Sequence, residues 1–298
     1  MQVMESVAGL AKALDAERAS GRGVGFVPTM GYLHEGHASL VRRAAAECDA
    51  VAVSVFVNPL QFGPTEDLAA YPRDLERDAR VVAGSGAGYL FTPAAEEMYP
   101  GPVLTTVQVD GVSRGLEGDA RPGHFAGVAT VVAKLFAIAG PCRAYFGEKD
   151  YQQLVVIRRL AADLMFPVAV VGCPTVREAD GLALSSRNVY LSPQERAAAP
   201  VLFRSLNAGR ALVEAGERDP GAVRAAIAEV VRGEPRVELE YAAAVDAADL
   251  HVPQRLEGDV RLLVAGRLGR ARLLDNVGVH AGAPPARDNP ARDNTDNT

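Results

Sequence analysis

Pro28-Thr29-Met30-Gly31-Tyr32-Leu33-His34-Glu35-Gly36-His37 is the stretch from which the fold can be read. Before it runs Val24-Gly25-Phe26-Val27, apolar throughout, which predicts a strand buried on both faces. After it, Ala38 to Glu47 predicts a helix. A strand, a glycine-containing turn and a helix start together build an anion site. Unpaired backbone N–H groups and the positive end of the helix dipole meet there. His34 and His37 stand at its mouth, where imidazoles can donate to phosphate oxygens, and Gly36 lets a ligand approach the backbone. Two other readings of such a pair remain: exposed histidines, or two ligands of a zinc site. The zinc reading is weakened by the scatter of His124, His251 and His280 and by Cys48, Cys142 and Cys173, which have no paired spacing. No metal ligands are assigned.

Outward from this stretch the chain alternates. Val3 to Arg18 predicts an amphipathic helix, and Val51 to Val57 a β-branched strand that stops at Asn58-Pro59. Asp67 to Gly84 predicts helix, Tyr89 to Phe91 a short strand and Thr105 to Val109 another. Phe125 to Ala139 predicts a long apolar helix, Ala144 to Phe146 a strand, and Asp150 the cap of a helix running to about Leu164. Val168 to Val171 is the next strand. Strands and helices in this rhythm predict an α/β fold, a doubly wound parallel sheet, which binds ligands beyond the carboxyl ends of its strands. The histidine motif, Asn58 and Gly147 all fall at such ends.

The rhythm changes after Pro174. Ser192-Pro193-Gln194-Glu195 predicts a capped helix start, followed by alanine-rich helices over about 193–215 and 220–233. Strands are predicted around 237–245, 260–265 and 271–277. The predicted organisation is a parallel-sheet α/β domain over 1–175, a smaller α+β domain over 176–280, and a disordered tail over 281–298.

Composition narrows the function. A chain of 298 residues, 48% hydrophobic, affords a sizeable core. Its net charge of −6 argues against a nucleic-acid partner. It has no apolar run of membrane-spanning length and no N-terminal basic-then-apolar segment, which predicts no membrane partner and a cytoplasmic location. Lysine occurs only at Lys12, Lys134 and Lys149, with arginine filling the rest of the 31 basic positions. A lysine kept inside a site motif is then suggestive of chemistry that needs a compact ammonium.

Three further constellations carry possible chemistry. Asn58-Pro59-Leu60-Gln61-Phe62 offers two amides for a small polar substrate, or is simply a turn. Phe146-Gly147-Glu148-Lys149-Asp150-Tyr151-Gln152-Gln153 places a lysine at a helix start, against the dipole, as an anion partner would require; a solvated charged turn is the plainer reading. Leu184-Ser185-Ser186-Arg187-Asn188 could clamp phosphate, or be an ordinary serine-rich loop.

In this order, with Arg121-Pro122-Gly123-His124-Phe125-Ala126-Gly127-Val128, these blocks resemble the pantothenate synthetase (pantoate–β-alanine ligase) family. That family belongs to the His-x-Gly-His nucleotidyltransferases, which share the motif with class I aminoacyl-tRNA synthetases. The resemblance covers about residues 1–280. Tyr32 and Ala38 depart from the residues more common there.

The resemblance implies a Rossmann-like domain, a homodimer, and ATP with Mg²⁺. It also implies condensation of (R)-pantoate with β-alanine through a pantoyl-adenylate, releasing pyrophosphate and then AMP. By resemblance His34, His37, Lys149 and Arg187 would be catalytic. Met30, Gly31, Tyr32, Leu33, Glu35 and Gly36 would meet ATP with the histidines. So would Gly147, Glu148, Asp150, Val176, Leu184, Ser185 and Ser186. Gln61 and Gln153 would hold pantoate, with Asn58, Arg121 and His124 in the same pocket. An adenylyltransferase that keeps AMP on its product, and a non-catalytic nucleotide-binding module, are the readings that compete.

Overall fold

A computed structural model describes residues 1–63, 68 and 71–282. The predicted tail beyond 282, and Asp67 at the start of one predicted helix, lie outside the described residues. In chain order the elements are β1 (Gln2–Met4), α1 (Val7–Ala19), β2 (Val24–Thr29), α2 (Glu35–Glu47), β3 (Ala50–Val55), α3 (Leu75–Gly84) and β4 (Tyr89–Phe91). Next come α4 (Ala95–Met98), α5 (Leu116–Ala120), α6 (His124–Ala139), β5 (Cys142–Gly147), α7 (Tyr151–Asp163) and β6 (Val168–Cys173). The last third holds α8 (Pro193–Ala198), α9 (Val201–Glu214), α10 (Pro220–Arg232), β7 (Glu238–Asp246), β8 (Gly258–Leu268) and β9 (Ala271–Ala281). Short 3-10 turns at Pro59–Gln61, Glu148–Asp150 and Ser186–Tyr190 fill three of the connections.

Six strands form one parallel sheet in the order β1-β4-β3-β2-β5-β6. The order reverses at β2, so β2 and β5 flank the crevice where parallel sheets take their ligands. Side chains alternate between two cores, as a strand's period of two requires. From β2 and β5, Phe26, Ala144 and Phe146 join the core with α1, α6 and α7. Val27 and Tyr145 turn to the other face, against Val41 and Ala44 of α2 and Val82 of α3. Covered on both faces, the strands read as the continuous apolar runs seen in the sequence.

The other three strands make an antiparallel sheet, β7-β8-β9. Leu206 and Ile227, on α9 and α10, pack with its Leu262 and Val264. Its Val245 and Leu263 instead enter the core shared with α6 and α7, so the small sheet leans on the large one.

Four expectations need correction. Val3 lies in β1, paired with Leu90, and the first helix starts only at Val7, where Ser6 caps it. Leu68 and residues 71–73 are not helical; α3 begins at Leu75, after Asp74 accepts the N–H of Arg77. Thr105 to Val109 has strand-like residues but no strand partner, and Leu104 beside it is 92% exposed. The segment after Ser192 is two helices broken around Ala199-Pro200, because Pro200 cannot donate within a continuous helix. The Ser192–Glu195 capping box itself is present.

Candidate active site

The turn after β2 is shaped by what it must satisfy. Gly31 (φ +87°) and Tyr32 (φ +52°) are both left-handed, which costs little at the glycine and more at the tyrosine. Asp78 on α3, 1% exposed, offsets this by accepting the N–H of Tyr32 at 2.9 Å and of Leu33 at 2.7 Å. Burial raises the Asp78 carboxyl above its ordinary range, against the pull of those two N–H groups. Arg77 covers the Tyr32 ring at 4.9 Å.

The backbone here is therefore not the row of open donors expected. Gly31 N–H reaches Thr29 Oγ1 at 3.2 Å, His34 N–H reaches His37 Nδ1 at 3.3 Å, and Gly36 N–H reaches His34 Nδ1 at 3.1 Å. Two of these acceptors are the imidazoles themselves. Each ring accepts at Nδ1, so each neutral ring carries its proton at Nε2 and can donate from there. The rings lie against each other, 4.1 Å between centroids and tilted by 42°. Burial, then Lys149, pulls the pKa of His34 down to about 4; burial, then His34, pulls that of His37 to about 3. Both are neutral at pH 7. Gly36 has a reason of its own: a Cβ there would lie 2.8 Å from His34 Cε1. The glycine makes room for the ring.

Beside β2, β5 ends at Gly147 and delivers Lys149 on the 3-10 turn. Lys149 Nζ lies 3.4 Å from Asp150 Oδ1. Burial disfavours the Asp150 carboxylate, but Lys149 and Arg187 outweigh it and hold its pKa below the ordinary value. The sequence reading has Asp150 capping α7, but its side chain makes no cap bond there; it meets Lys149 on the 3-10 turn instead. Ser185 Oγ accepts the N–H of Arg187, and the carbonyl of Val176 is taken by Leu184 N–H. Ser186 is hydrogen-bonded to the buried Tyr71.

Asn58 and Gln61 form the opposite wall. Asn58, 1% exposed, donates to Gln61 Oε1 and to Gly127 O, both at 3.1 Å. It accepts from Tyr99 Oη at 2.8 Å and Leu60 N–H at 3.3 Å. All four of its hydrogen-bonding positions are used inside the protein. Gln61 Nε2 contacts only a weak acceptor, Met30 Sδ, at 2.9 Å. His124 Nδ1 donates to Gln61 O at 2.9 Å, which leaves its Nε2 to accept from Arg121 at 3.0 Å. A Cβ on Gly127 would sit 2.2 Å from Leu60 O, so this glycine lets α6 abut the 58–61 turn.

A cavity of about 570 Å³ opens between the two sheets. Of the residues singled out in the sequence, Met30, Gln61, Arg121, His124, Lys149, Asp150, Gln153, Ser185 and Arg187 line it. His34, His37 and Gly36 are not in its wall but adjoin it, both rings feeling the charges of Lys149 and Asp150. Gly31, Tyr32, Leu33, Glu35, Asn58, Gly147, Glu148, Val176, Leu184 and Ser186 also stand outside the wall. Leu33 is fully buried, and exposed Glu35 pairs with Arg42.

Sequence reasoning missed three groups. One is Asp78. Another is Gln152, which accepts Glu117 N–H and donates to the carbonyls of Val112, Arg114 and Gly115, shaping the loop beneath the cavity. The third is Glu117 of α5, locked to Arg272 at 2.6 Å and to Tyr241 at 2.8 Å on the small sheet. An acidic residue repeating on the polar face of α3 carried no sign of Asp78's burial, but Gln152 stood next to a residue already marked. Among the described residues no helix is long and apolar enough to cross a membrane.

Residues 2–278 match the family model described as pantoate-beta-alanine ligase. The chain is 53% identical over 277 residues to the pantothenate synthetase of Heliobacterium modesticaldum, covering 93% of this chain and 99% of that one. It is 55% identical over 269 residues to that of Deinococcus radiodurans, with 88% and 96% covered. A crystal structure of pantothenate synthetase from Thermus thermophilus superposes with a TM-score of 0.89 at 53% identity, covering 94% of this chain and all of that one. A Francisella tularensis pantoate-beta-alanine ligase, complexed with beta-gamma ATP and beta-alanine, gives 0.77 at 33% identity, with 93% and 97% covered.

Proposed function

The chain belongs to the pantoate–β-alanine ligase family, and from that premise we propose how its own residues carry the reaction. The reaction is ATP-dependent condensation of (R)-pantoate with β-alanine. A pantoate carboxylate oxygen attacks the α-phosphorus of ATP and pyrophosphate leaves. The β-alanine amine then attacks the acyl carbon of the pantoyl-adenylate, loses a proton and expels AMP.

The observation that carries the assignment is the histidine pair held as two Nε2–H donors at the end of β2, beside Lys149 at the end of β5. His34 and His37 act as neutral hydrogen-bond donors to the phosphates, and Lys149 follows the charge that develops on the transferring group. Ser185, Ser186 and Arg187 close on the outer phosphates, while Met30 to Leu33, Glu35, Gly36, Gly147, Glu148, Asp150, Val176 and Leu184 frame the nucleotide. Gln61 exchanges its weak Met30 contact for pantoate, with Gln153 lining the same cavity; Asn58, Arg121 and His124 hold Gln61 in place. The segment from about residue 176 serves as the lid over 1–175.

Mg²⁺ accompanies ATP in this reading. Of the carboxylates lining the cavity, Glu117 and Asp275 are locked to Arg272 and Arg177 at 2.6 Å, while Asp150 has the looser 3.4 Å pairing with Lys149. That donor set fits an ion carried mainly on triphosphate oxygens, where it supplies charge neutralisation, with Asp150 at most one ligand. The protein works as a cytoplasmic homodimer in this reading, which sedimentation tests; the exposed Leu104 segment is consistent with a contact. The test of the site is pyrophosphate release from ATP with pantoate alone, against other hydroxy acids, then AMP release on adding β-alanine. A dinucleotide-type product retaining AMP, or ATP binding without pyrophosphate release, would overturn it.

A further inference from the structure

Asn276, on β9 and 2% exposed, grips the turn that carries Lys149. Its Nδ2 donates to Glu148 O at 3.0 Å and to Lys149 O at 2.7 Å, so both amide hydrogens go to consecutive carbonyls. Its Oδ1 accepts from Arg261 Nε at 2.6 Å, which fixes the way the amide faces. Arg261 in turn reaches Glu148 Oε2 at 3.2 Å and lies 3.9 Å over the Tyr151 ring. An amide fits both roles, two donors and an acceptor on one short side chain. Aspartate would turn lone pairs on two carbonyl oxygens, and leucine would leave the carbonyls and the guanidinium without their partner.

We propose that Asn276 is a positioning residue for Lys149, through which the small sheet sets the backbone of the phosphoryl-transfer turn. The inference rests on the role given to Lys149 above. Because the grip comes from β9 and the lysine from the β5 end, the ammonium is aimed only when the two sheets are seated together. A misplaced backbone of this kind costs rate rather than binding, since Lys149 acts on charge that develops in the transition state.

The test is single-turnover pyrophosphate release, with ATP and pantoate concentrations varied, in Asn276→Ala, Lys149→Met and the double variant. Asn276→Ala is expected to lower the adenylation rate constant roughly ten- to hundredfold with KM for both substrates little changed. Lys149→Met is expected to lose more, and the double variant to match Lys149→Met, because the first change acts only through the second. A wild-type rate in Lys149→Met overturns the role of Lys149 itself. An impaired Lys149→Met beside an unimpaired Asn276→Ala, or a full multiplicative loss in the double variant, overturns the positioning role alone. Should Asn276→Ala fail to fold, Arg261→Met, which frees the amide to turn, enters the same cycle with the same expectations.

Discussion

Asp78 accepts the main-chain N–H of Leu33 at 2.7 Å, joining α3 to a turn 45 residues earlier in the chain. Together with the Tyr32 N–H it holds a left-handed pair that the turn could not otherwise keep. Asp78→Ala leaves the buried Leu33 donor and the half-buried Tyr32 donor unpaired, a loss of about 1–3 kcal/mol set mainly by the buried one. Urea unfolding measures it, and adenylation should fall with it. A stability within error of the wild type would show that the turn holds itself.

The histidine pair predicts an acid-sensitive fold. His34 and His37, near 4 and 3, lie below the ordinary 6.5, so the unfolded chain binds protons that the folded one refuses. Their contribution is complete above pH 6.5 and is lost as pH falls from there through 4 and towards 3. The urea midpoint should drop between about pH 7 and pH 4.5, and drop less in His34→Asn/His37→Asn. Equal slopes in the two proteins would contradict the buried neutral assignment. Imidazole nitrogen NMR at neutral pH should report Nε2–H tautomers for both rings.

Gly36→Ala separates folding from function. Alanine at the second position of α2 favours the helix by up to about 1 kcal/mol. Its methyl would meet only the edge of the His34 ring, which can swing away. Thermal stability should change little, because the helix gain is offset by the cap bond that the displaced His34 ring gives up, while pyrophosphate release falls roughly tenfold or more. Unchanged turnover would remove His34's orientation from the account.

Asn58 is fully satisfied by protein groups, so its removal should be felt through Gln61. Asn58→Ala is expected to raise the KM for pantoate more than that for ATP. It should also cost about 1–3 kcal/mol for each buried partner left unpaired. An ATP-selective defect would contradict that placement.

What the sequence shows and hides follows from range. The β2 run, the turn and α2 are local, and so is the Ser192–Glu195 box; all were legible. Strand identity failed where burial did not decide it. Val3 belongs to a three-residue edge strand beneath a helical pattern, and Thr105 to Val109 has the residues of a strand with no neighbour to pair. The partners that set the site's geometry lie far off in sequence. Asp78 is 45 residues from Leu33, and Asn276 is 127 from Lys149. Neither has a spacing to betray it. The motif order marked the reacting groups, whereas the groups that hold them emerge only from packing.

The central claim is that the carboxylate of pantoate is activated at the α-phosphorus in this cavity. Pantoate labelled with oxygen-18 in its carboxylate, turned over with ATP and β-alanine, tests it by mass spectrometry of the products. One labelled oxygen should appear in AMP, with pyrophosphate unlabelled. Label in orthophosphate or pyrophosphate, or in neither nucleotide nor phosphate, would contradict the account.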